Sequence, residues 1–358
     1  MVGSHTCSRA HYFVENQKSK PNMQQEGQVI ECIPNFSEGR DKSIIDAISD
    51  SITSVEGTKL LHVDMGASAN RTVITFAGPP DAVIEGAFRA IKTAAEKIDM
   101  QQHKGTHPRI GSTDVCPLVP IRNITMQQTV HYSRILGERV GQELDIPVFL
   151  YEESALLRSR HNLSKIRAGE YEGMAEKILQ PGWAPDFGRA HFNARSGVTV
   201  IGARPFLVAY NINLNTKDKE IARSIAEEIR ESGAIRGYDA LGNLVVLAGE
   251  MKAVKAIGWY IEEYGKAQVS TNLTNIDITP MHMVFERVKE KAAGLGVEVT
   301  GSELVGLIPL RSLETSARFY CGKEGTITKD DLQVAIDRLG LAELKPFRLE
   351  ERVIEYLL

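Results

Sequence analysis

The run Pro80-Asp-Ala-Val-Ile-Glu-Gly-Ala-Phe-Arg-Ala-Ile-Lys-Thr-Ala-Ala-Glu-Lys-Ile98, then Asp99-Met-Gln-Gln-His-Lys-Gly-Thr-His-Pro-Arg-Ile-Gly-Ser-Thr-Asp114, then Val115-Cys-Pro-Leu-Val-Pro-Ile121, decides how the first half of the chain folds. In the first piece Val83, Ala87, Phe88, Ile91, Ala94, Ala95 and Ile98 share one helical face. In the second, Gly105, Pro108 and Gly111 enforce a loop. The third reads as a strand. A loop held by two buried elements is where chemistry tends to sit. This one carries His103, His107, Arg109 and Asp114, and histidine has the unperturbed pKa nearest neutrality, which suits proton transfer.

Working outward, Val29 to Pro34 reads as a short buried strand and Asn35-Phe-Ser-Glu-Gly-Arg-Asp41 as a turn-rich loop. Ile44, Ile45, Ile48 and Ile52 mark a helix, Lys59 to Asp64 a second strand and Thr72 to Ala77 a third. The order is β-α-β-β-α-β, the split βαβ of a ferredoxin-like unit. An additional segment follows, with a helix near Gln127 to Leu144, a strand at Pro147 to Tyr151 and a helical region at Ala155 to Leu179. Its irregular end, Gln180 to Gly197, is long enough to read as a functional loop. From Phe206 the first order returns. It runs through a strand to Leu214, a helix capped by Thr216 with Ile221, Ile225 and Ile229 on one face, and strands at Leu244 to Ala248 and Gln268 to Leu273. A helix opened by Thr279-Pro280, a strand at Val297 to Thr300 and a last helix, Thr328 to Leu339, stopped by Gly340, complete it. The expected fold is α+β. Two ferredoxin-like subdomains, residues 28–205 and 206–358, enclose a cleft or tunnel, and a disordered tail covers residues 1–27.

Composition sets limits on function. The 358 residues have room for about two domains, with 42% hydrophobic and 25% charged residues. A formal charge of −4 argues against nucleic acid as a partner, though a local basic pocket for a small anion stays open. Cys7, Cys32, Cys116 and Cys321 form no CxxC pair; Cys32 and Cys116, in apolar strand-like runs, read as free buried thiols of a reducing compartment. No apolar run approaches a membrane span of ~18 residues, and the polar start lacks the apolar core of a signal peptide, so the chain reads as cytoplasmic.

His103 and His107 have the i,i+4 spacing of helical zinc ligands, but Gly105 and Pro108 deny them a helix and no Glu stands where the general base belongs, so no metal is expected. No Walker A loop, no GxGxxG after a strand and no GxSxG occurs. His107 reads either as a loop histidine bonded to backbone or as an acid–base group. Asp64, at a strand end, reads as a turn cap or as a functional carboxylate. Asn70-Arg71 leads straight into a strand and suits the wall of a cleft. Arg189, Arg195 and Arg204 give the central loop a positive bias that suits carboxylates or a solvated face.

Glu31-Cys-Ile-Pro-Asn-Phe-Ser-Glu-Gly39, Asn70-Arg-Thr-Val73, Phe76-Ala-Gly-Pro-Pro80, His107-Pro-Arg109, Asp114-Val-Cys-Pro117, Ile166-Arg-Ala-Gly-Glu-Tyr-Glu172, Trp183-Ala-Pro-Asp-Phe-Gly188, Asn211-Ile-Asn-Leu214, Gly258-Trp-Tyr260, Gln268-Val-Ser-Thr-Asn-Leu273 and Glu351-Arg-Val-Ile-Glu-Tyr356 together resemble the glutamate formimidoyltransferase family, the transferase part of formimidoyltransferase-cyclodeaminase. The resemblance runs from about residue 29 to the end. It implies transfer of the formimino group of N-formimino-L-glutamate to N5 of tetrahydrofolate in histidine degradation. It also implies a folate tunnel between two subdomains, a homodimer, tetrahydrofolate as co-substrate and no metal. The family's catalytic histidine falls on His107, with Asp64 placed to orient it; Asn70, Arg71 and Arg109 are expected to bind substrate. Its folate segment falls on Gly188, Arg189, Ala190, His191, Phe192, Asn193, Ala194, Arg195, Ser196 and Gly197, with Ser196 where a tryptophan is common. A chain stopping at Leu358 without the cyclodeaminase domain implies hand-over of product to a separate cyclodeaminase. Two rival readings use the same pocket: formyl transfer between 5-formyltetrahydrofolate and glutamate, and folate binding without turnover.

Overall fold

Strand alternation builds the molecule. The computed structural model describes residues 27–238 and 244–358, so the expected tail lies outside them but for its last residue. The first unit runs β1 (Val29–Cys32), β2 (Asn35–Phe36), α1 (Lys42–Thr53), β3 (Lys59–Gly66), β4 (Arg71–Gly78), α2 (Pro80–Lys97) and β5 (Thr113–Arg122). β3 pairs with β4, β4 with β1 and β2, and these with β5, all antiparallel. That is the ferredoxin-like strand order. The additional segment, α3 (Met126–Glu143), β6 (Val148–Leu150), α4 (Leu163–Arg167), α5 (Glu170–Lys177) and β7 (Thr199–Ala203), extends the sheet with two strands parallel to β5.

The second unit repeats the order with β8 (Val208–Leu214), α6 (Lys219–Ile229), a separate hairpin β9 (Ala234–Tyr238) and β10 (Leu244–Leu247), then β11 (Val254–Ile261), β12 (Lys266–Leu273), α7 (Met281–Gly294) and β13 (Val299–Val305). Its sheet runs β11-β12-β8-β13. α8 (Leu310–Cys321), α9 (Lys329–Leu339) and two short helices, Leu349–Arg352 and Ile354–Leu357, complete the chain. α9 starts on a capping box between Thr328 and Asp331 and ends on Gly340 in the left-handed conformation.

Several details differ from the sequence reading, which has no counterpart of β7 or α8. The strand expected at Leu244 to Ala248 belongs to the separate hairpin, and the true second strand of the unit is β11. α6 is capped by Asp218, whose carboxylate accepts from Glu220 N at 2.9 Å, and Thr216 only tethers Asp218 N at 3.1 Å. The closing strand runs over Val299–Val305, later than Val297 to Thr300.

Because side chains alternate across a strand, each sheet has two unlike faces. Ile30, Cys32, Ile74, Phe76 and Leu118 pack under α1, α2 and α3, and Val208, Tyr210, Ile212 and Leu214 pack under the helices of the second unit. The alternate residues, such as Asn35, Val73 and Val115 from one sheet and Asn211, Trp259 and Gln268 from the other, line a shared cavity of about 870 Å³. Cys32 and Cys116 are free and buried with their sulfurs 3.4 Å apart. Among the described residues no helix is long and apolar enough to cross a membrane.

Candidate active site

His107 lies where the loop after α2 meets the cavity wall. The loop cannot stand off from its neighbours. A Cβ on Gly105 would sit 2.1 Å from Ala69 O, and one on Gly111 would sit 2.0 Å from Val198 O, so glycine is required at both for close backbone approach. Met100 N donates to Arg195 O at 2.8 Å and Ser112 N to Ser196 O at 2.8 Å, so the 188–197 loop supports the histidine loop directly.

The half-buried His107 ring has one tautomer consistent with its surroundings. Nδ1 lies 2.7 Å from Pro108 O, and a carbonyl only accepts, so Nδ1 carries the hydrogen and Nε2 is left with its lone pair. Desolvation by burial, then the charges of Arg71 and Arg167, hold the imidazole pKa well below its ordinary value, against the opposing pull of Asp114 and the bond to Pro108. The ring is therefore neutral near pH 7. Its edge meets Trp259 at 6.0 Å between centroids, and Trp259 is itself fixed by Nε1–H donation to Gln268 Oε1 at 2.9 Å. The second sheet thereby holds the histidine of the first.

Next to the ring is a buried ionic cluster. Asp114, wholly buried, accepts from Arg71 Nη1 at 2.7 Å, from Arg167 Nε at 3.3 Å and from Arg167 Nη2, while its Oδ1 takes Ile110 N at 3.1 Å. Burial pushes the carboxyl up, but Arg167 and Arg71 outweigh it and keep Asp114 ionised well below the usual carboxylate range. Arg71 also donates from Nε to Asn35 Oδ1 at 3.1 Å. Two guanidinium groups share one carboxylate, so this end of the cavity keeps a net positive charge suited to an anionic substrate.

The other expected site residues make contacts of their own. Asp64 lines the same cavity, but its Oδ2 accepts from Gly306 N at 3.1 Å; among the described residues no hydrogen bond joins it to His107, and the carboxylate whose charge acts on that ring is Asp114. Asn70 spends both ends of its amide on backbone, accepting from Gly39 N at 3.0 Å and donating to Lys104 O at 3.0 Å, and its own φ is +46°. It is a clamp between loops. Asn70→Ala removes both bonds and a residue that tolerates the left-handed region, and we expect roughly 2–3 kcal/mol lower stability in urea unfolding. Arg109 faces away from the large cavity, held by Glu172 at 2.6 and 2.8 Å, Glu170 at 3.0 Å and His103 Nδ1 at 3.3 Å. His103 in turn donates from Nε2 to Asn70 O at 2.8 Å, so it too is committed to the loop. Gly188 to Gly197 does not line the cavity. Arg189 pairs with Asp145, Phe192 packs on Tyr171 at 5.2 Å, and Ser196 is buried behind the histidine loop. Asp114, Arg167 and Trp259 went unassigned in the sequence, although each lies in a stretch that carries the family resemblance.

Two ferredoxin-like sheets thus close on one cavity, whose wall carries a neutral, backbone-oriented histidine beside two arginines paired on one buried carboxylate. The chain belongs to the formiminotransferase family: the N-terminal subdomain of the formiminotransferase domain matches residues 29–204, and the formiminotransferase domain matches residues 209–358. Formimidoyltransferase-cyclodeaminase of Rattus norvegicus is 48% identical over 333 residues, 92% of this chain and 60% of that protein. Glutamate formimidoyltransferase of Streptococcus pyogenes serotype M1 is 44% identical over 292 residues, 82% of this chain and 93% of that protein. The protein of the same name from Thermoplasma acidophilum is 42% identical over 299 residues, covering 83% and 93% respectively. The chain thus spans about 60% of the length of the cyclodeaminase relatives it matches.

Proposed function

We propose that the protein is a glutamate formimidoyltransferase that moves the formimino group of N-formimino-L-glutamate to N5 of tetrahydrofolate. The observation that carries this reading is His107, neutral, with Nδ1 tied to Pro108 O and Nε2 free at the cavity wall. N5 attacks the formimino carbon and the new N–C bond gives a tetrahedral intermediate. Nε2 takes the proton that N5 must lose and returns it to the glutamate nitrogen as the old C–N bond breaks. The histidine ends as it began, and the glutamate leaves as a neutral amine rather than an amide anion. Arg71 and Arg167, tied together through Asp114, supply the field that holds the substrate carboxylates. A cavity of about 870 Å³ accommodates both substrates at once. Asp64 belongs to this proposal as a wall residue, and the 188–197 loop as support for the histidine loop. A homodimer in the cytoplasm, and passage of product to a cyclodeaminase of the kind named in the longer relatives, belong to it on family resemblance alone.

The test is to mix protein with both substrates, acidify, and follow the absorbance of the 5,10-methenyl product. Absence of that signal would end the reading. The pH profile adds a second check. A base must be neutral to act, and His107 is held below the ordinary 6.5. We expect kcat to hold as pH falls through 6.5 and to decline only at lower pH. An acid limb centred at or above 6.5 would place the working base elsewhere.

A further inference from the structure

The same sheet face carries a second polar group, remote from His107. Glu31, on β1, is 2% exposed, and its Oε2 has no hydrogen-bond partner among the described residues. Thr75, on β4, is 1% exposed, and its Oγ1 is likewise unpartnered. Both line the large cavity. Glu31 pairs with Ala77, so Thr75 lies on the same face of the neighbouring strand, two residues along β4 from the position opposite Glu31. An unpaired buried polar atom costs on the order of 1–3 kcal/mol, so two of them on adjacent strands of one cavity wall point to a ligand that completes them.

Their position narrows the ligand. Along β4, Arg71 at the histidine end and Thr75 are four residues apart, roughly 13 Å at the strand rise. Between them the floor is made by Val73 and Val115 with Asn35 paired between the two, and Asn35 is itself tied to Arg71. Side chains stand roughly perpendicular to the sheet, so that span stays open along the strand and is long enough for a fused two-ring heterocycle lying on the floor. The tetrahydrofolate ring presents its reactive N5 on one side, and 2-amino, N3–H and 4-oxo groups on the far edge. That edge offers two donors and one acceptor in a row. A carboxylate with a hydroxyl beside it is the matching set.

We propose that Glu31 and Thr75 form the subsite that fixes the far edge of the folate ring, Glu31 accepting from N3–H and the 2-amino group and Thr75 donating to the 4-oxo oxygen; this rests on the transferase reading above. Glu31 is a positioning residue, since it sets where N5 lies relative to His107. Before the ligand arrives, burial pushes the Glu31 carboxyl up to about 8, with Arg204 the facing cation that lowers it and Glu355 the facing carboxylate that raises it. The acid is therefore mostly protonated at pH 7. Pairing with two N–H donors favours the ionised form, so ring binding expels the carboxyl proton to the buffer.

The experiment is calorimetry of the whole chain with 5-formyltetrahydrofolate at pH 7, in two buffers of different ionisation enthalpy. Wild type should release close to one proton. Glu31→Gln, a neutral isostere of the acid form, should release none from this group and bind roughly 10- to 100-fold more weakly. Thr75→Val should bind several-fold more weakly with proton release intact. A folate analogue carrying methyl in place of the 2-amino group should lose affinity for wild type and lose little for Glu31→Gln. If Glu31→Gln binds and turns over like wild type, or if release is unchanged, the subsite is wrong and the transferase reading stands. If wild type neither binds the folate nor turns over, the transferase reading fails and takes the subsite with it.

Discussion

Replacing His107 with alanine should lower kcat by roughly 10²–10⁴-fold, with 5-formyltetrahydrofolate affinity kept within a few-fold. The ring's polar contacts explain the split. Nδ1 bonds a backbone carbonyl of its own loop and Nε2 bonds no protein group among the described residues, so removing the ring takes away proton transfer while the anion cluster and the cavity floor remain. The loop itself is held by Asn70, His103 and the backbone bonds to Arg195 and Ser196, none of which runs through His107. Without the base, N5 must attack while still carrying its proton, and the departing glutamate nitrogen must leave without one. Both penalties fall on kcat. Single-turnover assay separates them from binding. If kcat stays near wild type while the protein still binds folate, another group moves the proton. Added imidazole should restore part of the rate in the alanine variant, because the space vacated beside Trp259 has the size of the ring that left it.

The sequence made some of this legible and hid the rest for identifiable reasons. Period-2 runs such as Arg71–Gly78 and period-3.6 runs such as Pro80–Lys97 state their structure in their own composition, so both ferredoxin-like units could be read. β11 is hard to read in the sequence because Gly258 interrupts its pattern. A Cβ there would sit 2.0 Å from Arg223 N, so the glycine is set by close packing on α6 and not by strand propensity. Leu244–Leu247 looks like a buried strand because it is four apolar residues in a row, yet Val245, Val246 and Leu247 are exposed. Site residues divide the same way. His107 and Arg71 could be singled out because each sits beside a break or a strand start. Arg109 looked equally available, and what binds it is Glu170 and Glu172, 61 and 63 residues away, a pairing that exists only after folding. Asp114 stands in the sequence as the end of a loop, and in the fold it is the residue to which Arg71 and Arg167 are both tied.

Asp114→Asn should be the most destabilising single change in the site, at about 3–5 kcal/mol, the usual cost of removing one partner from a buried charge network. Asparagine keeps the size and the bond from Ile110 N but leaves Arg71 and Arg167 facing each other without an anion between them. The pH dependence distinguishes this from simple loss of packing. The folded carboxyl is held well below its unfolded value by Arg167 and Arg71. A depressed folded pKa contributes stability that is present above the unfolded value, near ~3.9 for Asp, and is lost as pH falls through the folded one. Chemical unfolding of wild type and Asp114→Asn should therefore differ by the full amount above about pH 5 and converge on acidification. A constant difference from pH 7 down to the lowest pH at which both fold would mean that shape, not charge, is what Asp114 supplies. The same variant bears on catalysis. Its loss removes the attraction that partly offsets Arg71 and Arg167 at His107, so the histidine should become harder still to protonate. Return of the proton to the leaving nitrogen depends on forming that imidazolium for a moment, so kcat should fall even where the variant is fully folded. A folded Asp114→Asn protein with wild-type kcat would show that the ionic cluster holds the site together without taking part in the proton's passage.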